Sequence, residues 1–76
     1  MSSGIPRITG AQAVAAFEKA GFEVVRIKGS HHIMKREGHP YRLAIPVHGS
    51  KIIGKGLLAS QIENAGLTVE EFRDLL

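Results

Sequence analysis

The chain reads as an α+β domain of two layers, an antiparallel three-stranded sheet with the helices on one face. Three observations predict it. Helical spacing occupies both ends of the chain, at Val14, Phe17 and Ala20 and again at Leu58, Ile62 and Ala65. The middle, from Phe22 to Val47, has the β-branched and alternating character of strands. Gly29-Ser30 and Gly38-His39-Pro40 interrupt it as tight turns, which makes the three strands an antiparallel meander. A helix at each end of a meander covers one sheet face and leaves the other face, or an edge, to solvent.

The elements follow in order. Residues 1–8 are Ser, Gly and Pro punctuation with two isoleucines, read as a short tail before a single domain over 9–76. Thr9 followed by Gln12 is a capping box, in which each side chain satisfies an orphan N–H at a helix start. The first helix is expected over Gly10–Ala20 and is stopped by Gly21, a residue that easily takes the left-handed conformation. Phe22–Lys28 reads as the first strand, Gly29-Ser30 as a turn, and His32–Glu37 as the second strand. In the third, Tyr41–Val47, the residues Tyr41, Leu43, Ile45 and Val47 share one face. Pro46 cannot donate to a ladder, so it marks the strand's end or an edge position. His48–Gly56 reads as a glycine-rich loop, and a second helix as Leu57–Ala65, capped by Gly66. Thr68 and Glu71 form another capping box, opening a short last helix with Val69, Phe72 and Leu76 inward.

Composition narrows the function. With 76 residues there is room for one core only, and chains this short bury roughly 60% of their unfolded surface. There is no cysteine, which removes thiolate catalysis, zinc-thiolate sites and any argument for an oxidising compartment. The apolar runs are far too short to span a membrane, and Met1–Arg7 has no apolar core of a signal peptide. The cytoplasm is the expected compartment. The formal charge of +3 is unevenly spread. Between Val24 and Ile62 the bases Arg26, Lys28, Lys35, Arg36, Arg42, Lys51 and Lys55 face a single acid, Glu37. After Ile62 the balance inverts, with Glu63, Glu70, Glu71 and Asp74 against Arg73. A basic middle fits a surface that attracts a polyanion.

Within that basic middle stands Gly29-Ser30-His31-His32. Histidine alone has an unperturbed pKa that lets it take and give a proton near neutral pH. Adjacent residues of a strand point to opposite faces, so the two imidazoles do not belong to one site, and apolar residues on both parities leave their facing open. Neighbours in an extended chain are poorly placed to chelate together, so no metal is expected, even with His39 and His48. RNA carries its own nucleophile, the 2′-OH, and its cleavage needs only a base, cations at the phosphate and an acid for the leaving oxygen. His31 can supply the base, with Lys28, Lys35, Lys51 or Lys55 on the phosphate. If the second and third strands pair through the Gly38-His39-Pro40 turn, their far ends meet, which brings His48 towards His31 and His32. His39, in the opposite turn, receives no role, and Ser30 reads as a turn residue. Gly54-Lys55-Gly56 lacks the spacing and the βαβ setting of a nucleotide-binding loop.

Taken together, Ala20-Gly21-Phe22, Gly29-Ser30-His31-His32, Pro46-Val47-His48 and Gly56 leading to Ala65-Gly66-Leu67 give the chain a likeness from Ile8 to about Phe72. In this it resembles the HicA-type mRNA interferase toxins of toxin–antitoxin modules. The resemblance implies a double-stranded-RNA-binding-domain-like α-β-β-β-α fold and ribosome-independent cleavage of mRNA without a cofactor. It implies that the histidine directly after Gly-Ser, here His31, is catalytic, that Gly29 belongs to the same motif, and that a HicB-type antitoxin covers the active surface. Two departures stand out. Gly56-Leu57-Leu58-Ala59 replaces the family's usual Gly-Thr-Leu-Arg, which weakens a phosphate grip by the second helix. Lys51-Ile52-Ile53 replaces a common Lys-Glu-Leu and leaves apolar side chains on the loop, to pack beneath it or meet the partner.

Two other functions compete with the nuclease. One is a non-catalytic double-stranded-RNA-binding module, which needs the same basic face but not His31. The other is a DNA-binding repressor subunit, disfavoured because no helix carries a basic face suited to the major groove.

Overall fold

A computed structural model describes residues 4–76; the first three residues of the expected tail lie outside the described residues. The element order is α1 (Gly10–Lys19), β1 (Glu23–Lys28), β2 (His31–Lys35), β3 (Leu43–Pro46), α2 (Lys55–Asn64) and α3 (Val69–Arg73). The strands form one antiparallel sheet in the order β1-β2-β3. This is the expected α+β architecture, with the α-β-β-β-α order of double-stranded-RNA-binding-like folds.

Both capping boxes form. Thr9 Oγ1 accepts from the Gln12 N–H at 3.2 Å, and the Thr9 N–H donates to Gln12 Oε1 at 2.9 Å. Thr68 and Glu71 repeat the exchange at 3.0 and 2.8 Å. The start of α2 differs from expectation, since Lys55 and Gly56 lie in its first turn rather than in the loop. The first N–H groups of a helix have no intrahelical partner in any case, so an exposed Lys-Gly pair fits there.

The core lies between one sheet face and the helices. Phe17, Met34, Leu43, Ile45, Leu58 and Phe72 are fully buried, and the Phe17 and Phe72 rings meet with centroids 4.8 Å apart. The buried side of α1 is Ala13, Ala16 and Phe17, with Val14 and Ala20 at its margin; Leu58, Ile62 and Ala65 are buried as expected. Ile8 is also part of this core. Its carbonyl accepts from the Ile53 N–H, and Thr9 bridges Ile52, so the chain before α1 is tied to the loop after β3. Ile53 is buried beneath the loop while Ile52 stays exposed.

Alternation fails at two chain positions. Tyr41 is 59% exposed, because the chain joins the ladder only at Leu43; its ring lies against His39 instead. Leu76 is exposed because α3 ends at Arg73, whose guanidinium donates to the Gly4 carbonyl.

The β1–β2 hairpin closes on the pair Lys28↔His31, with Gly29-Ser30 as its two-residue loop. Strand β2 therefore starts at His31, one residue earlier than the pattern suggested, and ends at Lys35, where Arg36 turns back to α1. Gly29 takes φ 63°, and no non-glycine residue among the described residues has positive φ. A two-residue hairpin with positive φ only at its first position has the type II′ pattern, which needs glycine there.

Candidate active site

Strand pairing decides which histidine faces which way. His32 stands beside Ile45, in the same parity as buried Met34 and Leu43, so it faces the helix layer. It is half-buried, and its Nδ1 is buried with no hydrogen-bond partner among the described residues. His31 has the opposite parity and is exposed on the open face, between Lys28 of β1 and Pro46 of β3. The sequence left this facing undetermined because Ile33 and Met34 give β2 an apolar residue on either side.

The edge strand β3 holds its end of the site firmly. The Val47 N–H donates to the Ser30 carbonyl at 2.8 Å, extending the β2–β3 ladder past Pro46. Leu43, Ile45 and Val47 therefore turn their backbone groups towards β2, whereas Ala44 and Pro46 turn theirs outward. Gln61 of α2, itself buried, accepts from the outward Ala44 N–H at 3.0 Å. The next outward position is Pro46, which has no N–H to leave unpaired. Pro46 is thus both the last residue of β3 and an edge residue, and His31 faces it across a non-hydrogen-bonded pair, where side chains lie closest. The start of α1 rests on the same spot. A Cβ on Gly10 would lie 2.1 Å from the Pro46 carbonyl oxygen, so only glycine allows this approach.

The expected meeting of the far strand ends occurs, with a change of partner. His48 reaches Ser30 rather than a histidine: Ser30 Oγ and His48 Nε2 are 3.0 Å apart. Ser30 is a turn residue, as read, and its hydroxyl also holds the loop that follows β3. Pro46, His48, Lys51 and Ile53 line a hollow of about 220 Å³ on that side. Lys51 therefore joins the His48 end of the site. Lys55 lines an adjoining hollow with Ile5, Pro6 and Arg7, which shares Ile52 and Ile53 with the first.

The cations divide into two groups. Lys28 and Lys35 are exposed on the open face, Lys28 opposite His31 and Lys35 opposite Glu23. Arg26 and Arg42 flank the same face, around a hollow of about 550 Å³. Arg36, grouped by sequence with the basic surface, belongs instead to the frame. Its guanidinium donates to the Ala20 carbonyl at 3.0 Å, lies 4.8 Å from the Phe22 ring centroid and contacts His39 Nδ1 at 3.2 Å.

His39 is remote from the other histidines and fastens the opposite end. Its Nε2 lies 2.6 Å from the Asn64 carbonyl oxygen, which only accepts, so the proton sits on Nε2 and Nδ1 accepts from Arg36. This clamp joins the end of α2 to the β2–β3 turn. The only local hint of it was the three-residue spacing from Arg36 to His39. Among the described residues no group of three or more His, Cys, Asp or Glu side chains is placed to hold a metal ion. No helix among them is long and apolar enough to cross a membrane.

Comparison with curated proteins gives no match. The family model described as the HicA toxin of bacterial toxin–antitoxin systems matches residues 10–67, which takes in α1, the whole sheet and α2. On that match, spanning most of its length and both histidine segments, the chain belongs to the HicA toxin family.

Proposed function

We propose that this toxin is a metal-independent endoribonuclease that cleaves mRNA in the cytoplasm, with His31 as its catalytic residue. The observation that carries this reading is the setting of His31: exposed on the open sheet face, opposite Lys28, one residue after a serine held to His48. The imidazole takes the proton of a ribose 2′-OH as that oxygen attacks the adjacent phosphorus. A bond forms between O2′ and phosphorus, and the bond from phosphorus to the 5′-oxygen breaks. The same histidine, now protonated, returns the proton to the leaving 5′-oxygen, so one group serves as base and then as acid. The products are a 2′,3′-cyclic phosphate and a free 5′-hydroxyl. Lys28 and Lys51 stabilise the charge that grows on the phosphoryl oxygens. Ser30 and Gly29 set the turn, His48 supports it and, in the hollow it shares with Lys51, adds a polar group beside the reacting phosphate, and His32 packs beneath. Lys35 and Lys55 contribute longer-range attraction to the polyanion.

Family membership supports a protein partner as well. We infer that a HicB-type antitoxin inhibits the toxin by covering the face that carries His31.

The fold order favours one other reading, a double-stranded-RNA-binding module without catalysis. Incubation of the purified toxin with end-labelled RNA in excess EDTA separates the two. Cleavage that persists in the chelator supports the nuclease. RNA that is bound yet stays intact supports the module, and activity abolished by EDTA contradicts metal independence.

A further inference from the structure

The open face has a feature that phosphate attraction alone does not call for. The floor of its 550 Å³ hollow is apolar, made of Val25, Ile33 and Ala44, while Arg26, Lys28, Lys35 and Arg42 stand around it. Val25 is there because β1 is irregular between Val24 and Arg26; the extra residue of this bulge is 52% exposed. None of the four cations makes an ion pair or side-chain hydrogen bond among the described residues. The row Arg26–Ile33–Ala44 lies two residues along β2 from the row Lys28–His31–Pro46, about 7 Å at the rise of a strand. The hollow and His31 therefore share one face, one short step apart.

We propose that this hollow is a subsite for single-stranded RNA, which seats one unpaired nucleobase next to the phosphate cleaved at His31. The proposal rests on the nuclease reading above and specifies its substrate. Double-stranded RNA is recognised by shape, through phosphates and 2′-hydroxyls, and presents no free base face to an apolar floor. An unpaired base has two such faces. One lies on Ile33 and its neighbours, and the guanidinium planes of Arg26 and Arg42 are suited to stack against the base. Lys28 and Lys35 take the phosphates on either side. No aromatic ring lines the hollow, so the arginines supply the stacking that aromatic side chains give elsewhere.

Binding is measured in the His31→Ala variant, which keeps the RNA whole, by fluorescence anisotropy. The probes are a short single-stranded RNA, the same RNA in a duplex, and a version with its bases removed and its sugar–phosphate chain intact. The subsite predicts that loss of the bases or pairing into a duplex weakens binding about tenfold. The variant Ile33→Lys makes the sign decisive, because it adds a cation but removes the floor. It weakens binding of the normal single strand and not of the abasic one, whereas a purely electrostatic face binds both more tightly. Equal affinity for normal and abasic RNA overturns the subsite, and that comparison needs no substitution in the face, so a misfolded Ile33→Lys leaves it decided. Failure of the nuclease reading shows separately, as RNA left intact by the unsubstituted toxin.

Discussion

Ser30 Oγ and His48 Nε2 meet at 3.0 Å although eighteen positions separate them in the chain. The contact fastens the turn before β2 to the loop after β3, and His31 sits between these two anchors. On one side the Lys28↔His31 pair closes a two-residue hairpin; on the other the Val47 N–H holds the Ser30 carbonyl. A catalytic imidazole must be held close to its working geometry, since small misplacements are costly in rate. The cross-link gives His31 that support from both neighbouring strands.

From this contact follows an ordered loss of activity. His48→Ala is expected to lower kcat about a hundredfold, by removing a polar group beside the reacting phosphate as well as the anchor. Ser30→Ala, which removes only the anchor, is expected to lower it by about tenfold. KM changes little in either case. Single-turnover cleavage of a labelled RNA measures both, and a Ser30→Ala toxin slower than His48→Ala contradicts the assigned roles.

Gly10 is the point where α1 touches the end of β3 beside His31. Gly10→Ala pushes a methyl group into the Pro46 carbonyl, and the strand must move or the helix must tilt. The expected cost is about 1–3 kcal/mol, in the range of overpacked sites. Because Pro46 is the cross-strand partner of His31, cleavage falls as well, even at temperatures where the variant is folded. Urea unfolding and cleavage rate, measured on the same preparation, test the pair of effects.

Arg36 separates frame from surface. Arg36→Met keeps much of the aliphatic stem over Phe22 but loses the hydrogen bond to Ala20, the contact with His39 and the charge over the ring. The expected loss of stability is about 1–3 kcal/mol. RNA affinity of the folded protein is expected to stay within about twofold, whereas Lys28→Ala lowers it and reduces the salt slope by about 0.7. A matching fall in affinity and salt slope for Arg36→Met would return Arg36 to the binding face.

What could be read from the sequence follows the range of the forces involved. Thr9/Gln12 and Thr68/Glu71 act within one helical turn, and both boxes formed where three-residue spacing put them. The Gly29-Ser30 turn was legible for the same reason. The hairpin that brings His48 back was inferred from strand order, but its partner was not, because a one-residue offset decides between Ser30 and His31. The facing of His31 and His32 was hidden by Ile33 and Met34, and only pairing with Leu43 and Ile45 resolves it. The Arg36–His39–Asn64 clamp joins segments that sequence spacing does not relate. The bulge at Val25 likewise has no marker in a β-branched run, yet it shapes the floor of the open face.

Whether His31 moves the proton in RNA cleavage is decided by the rate at which His31→Ala cleaves RNA in EDTA. The side chain is exposed and outside the core, so the variant is expected to keep the melting temperature and RNA affinity of the parent. The predicted result is a fall in cleavage rate of about 10²- to 10⁴-fold, the usual contribution of a positioned acid–base group. A folded His31→Ala protein that cleaves RNA at the parent rate would contradict it.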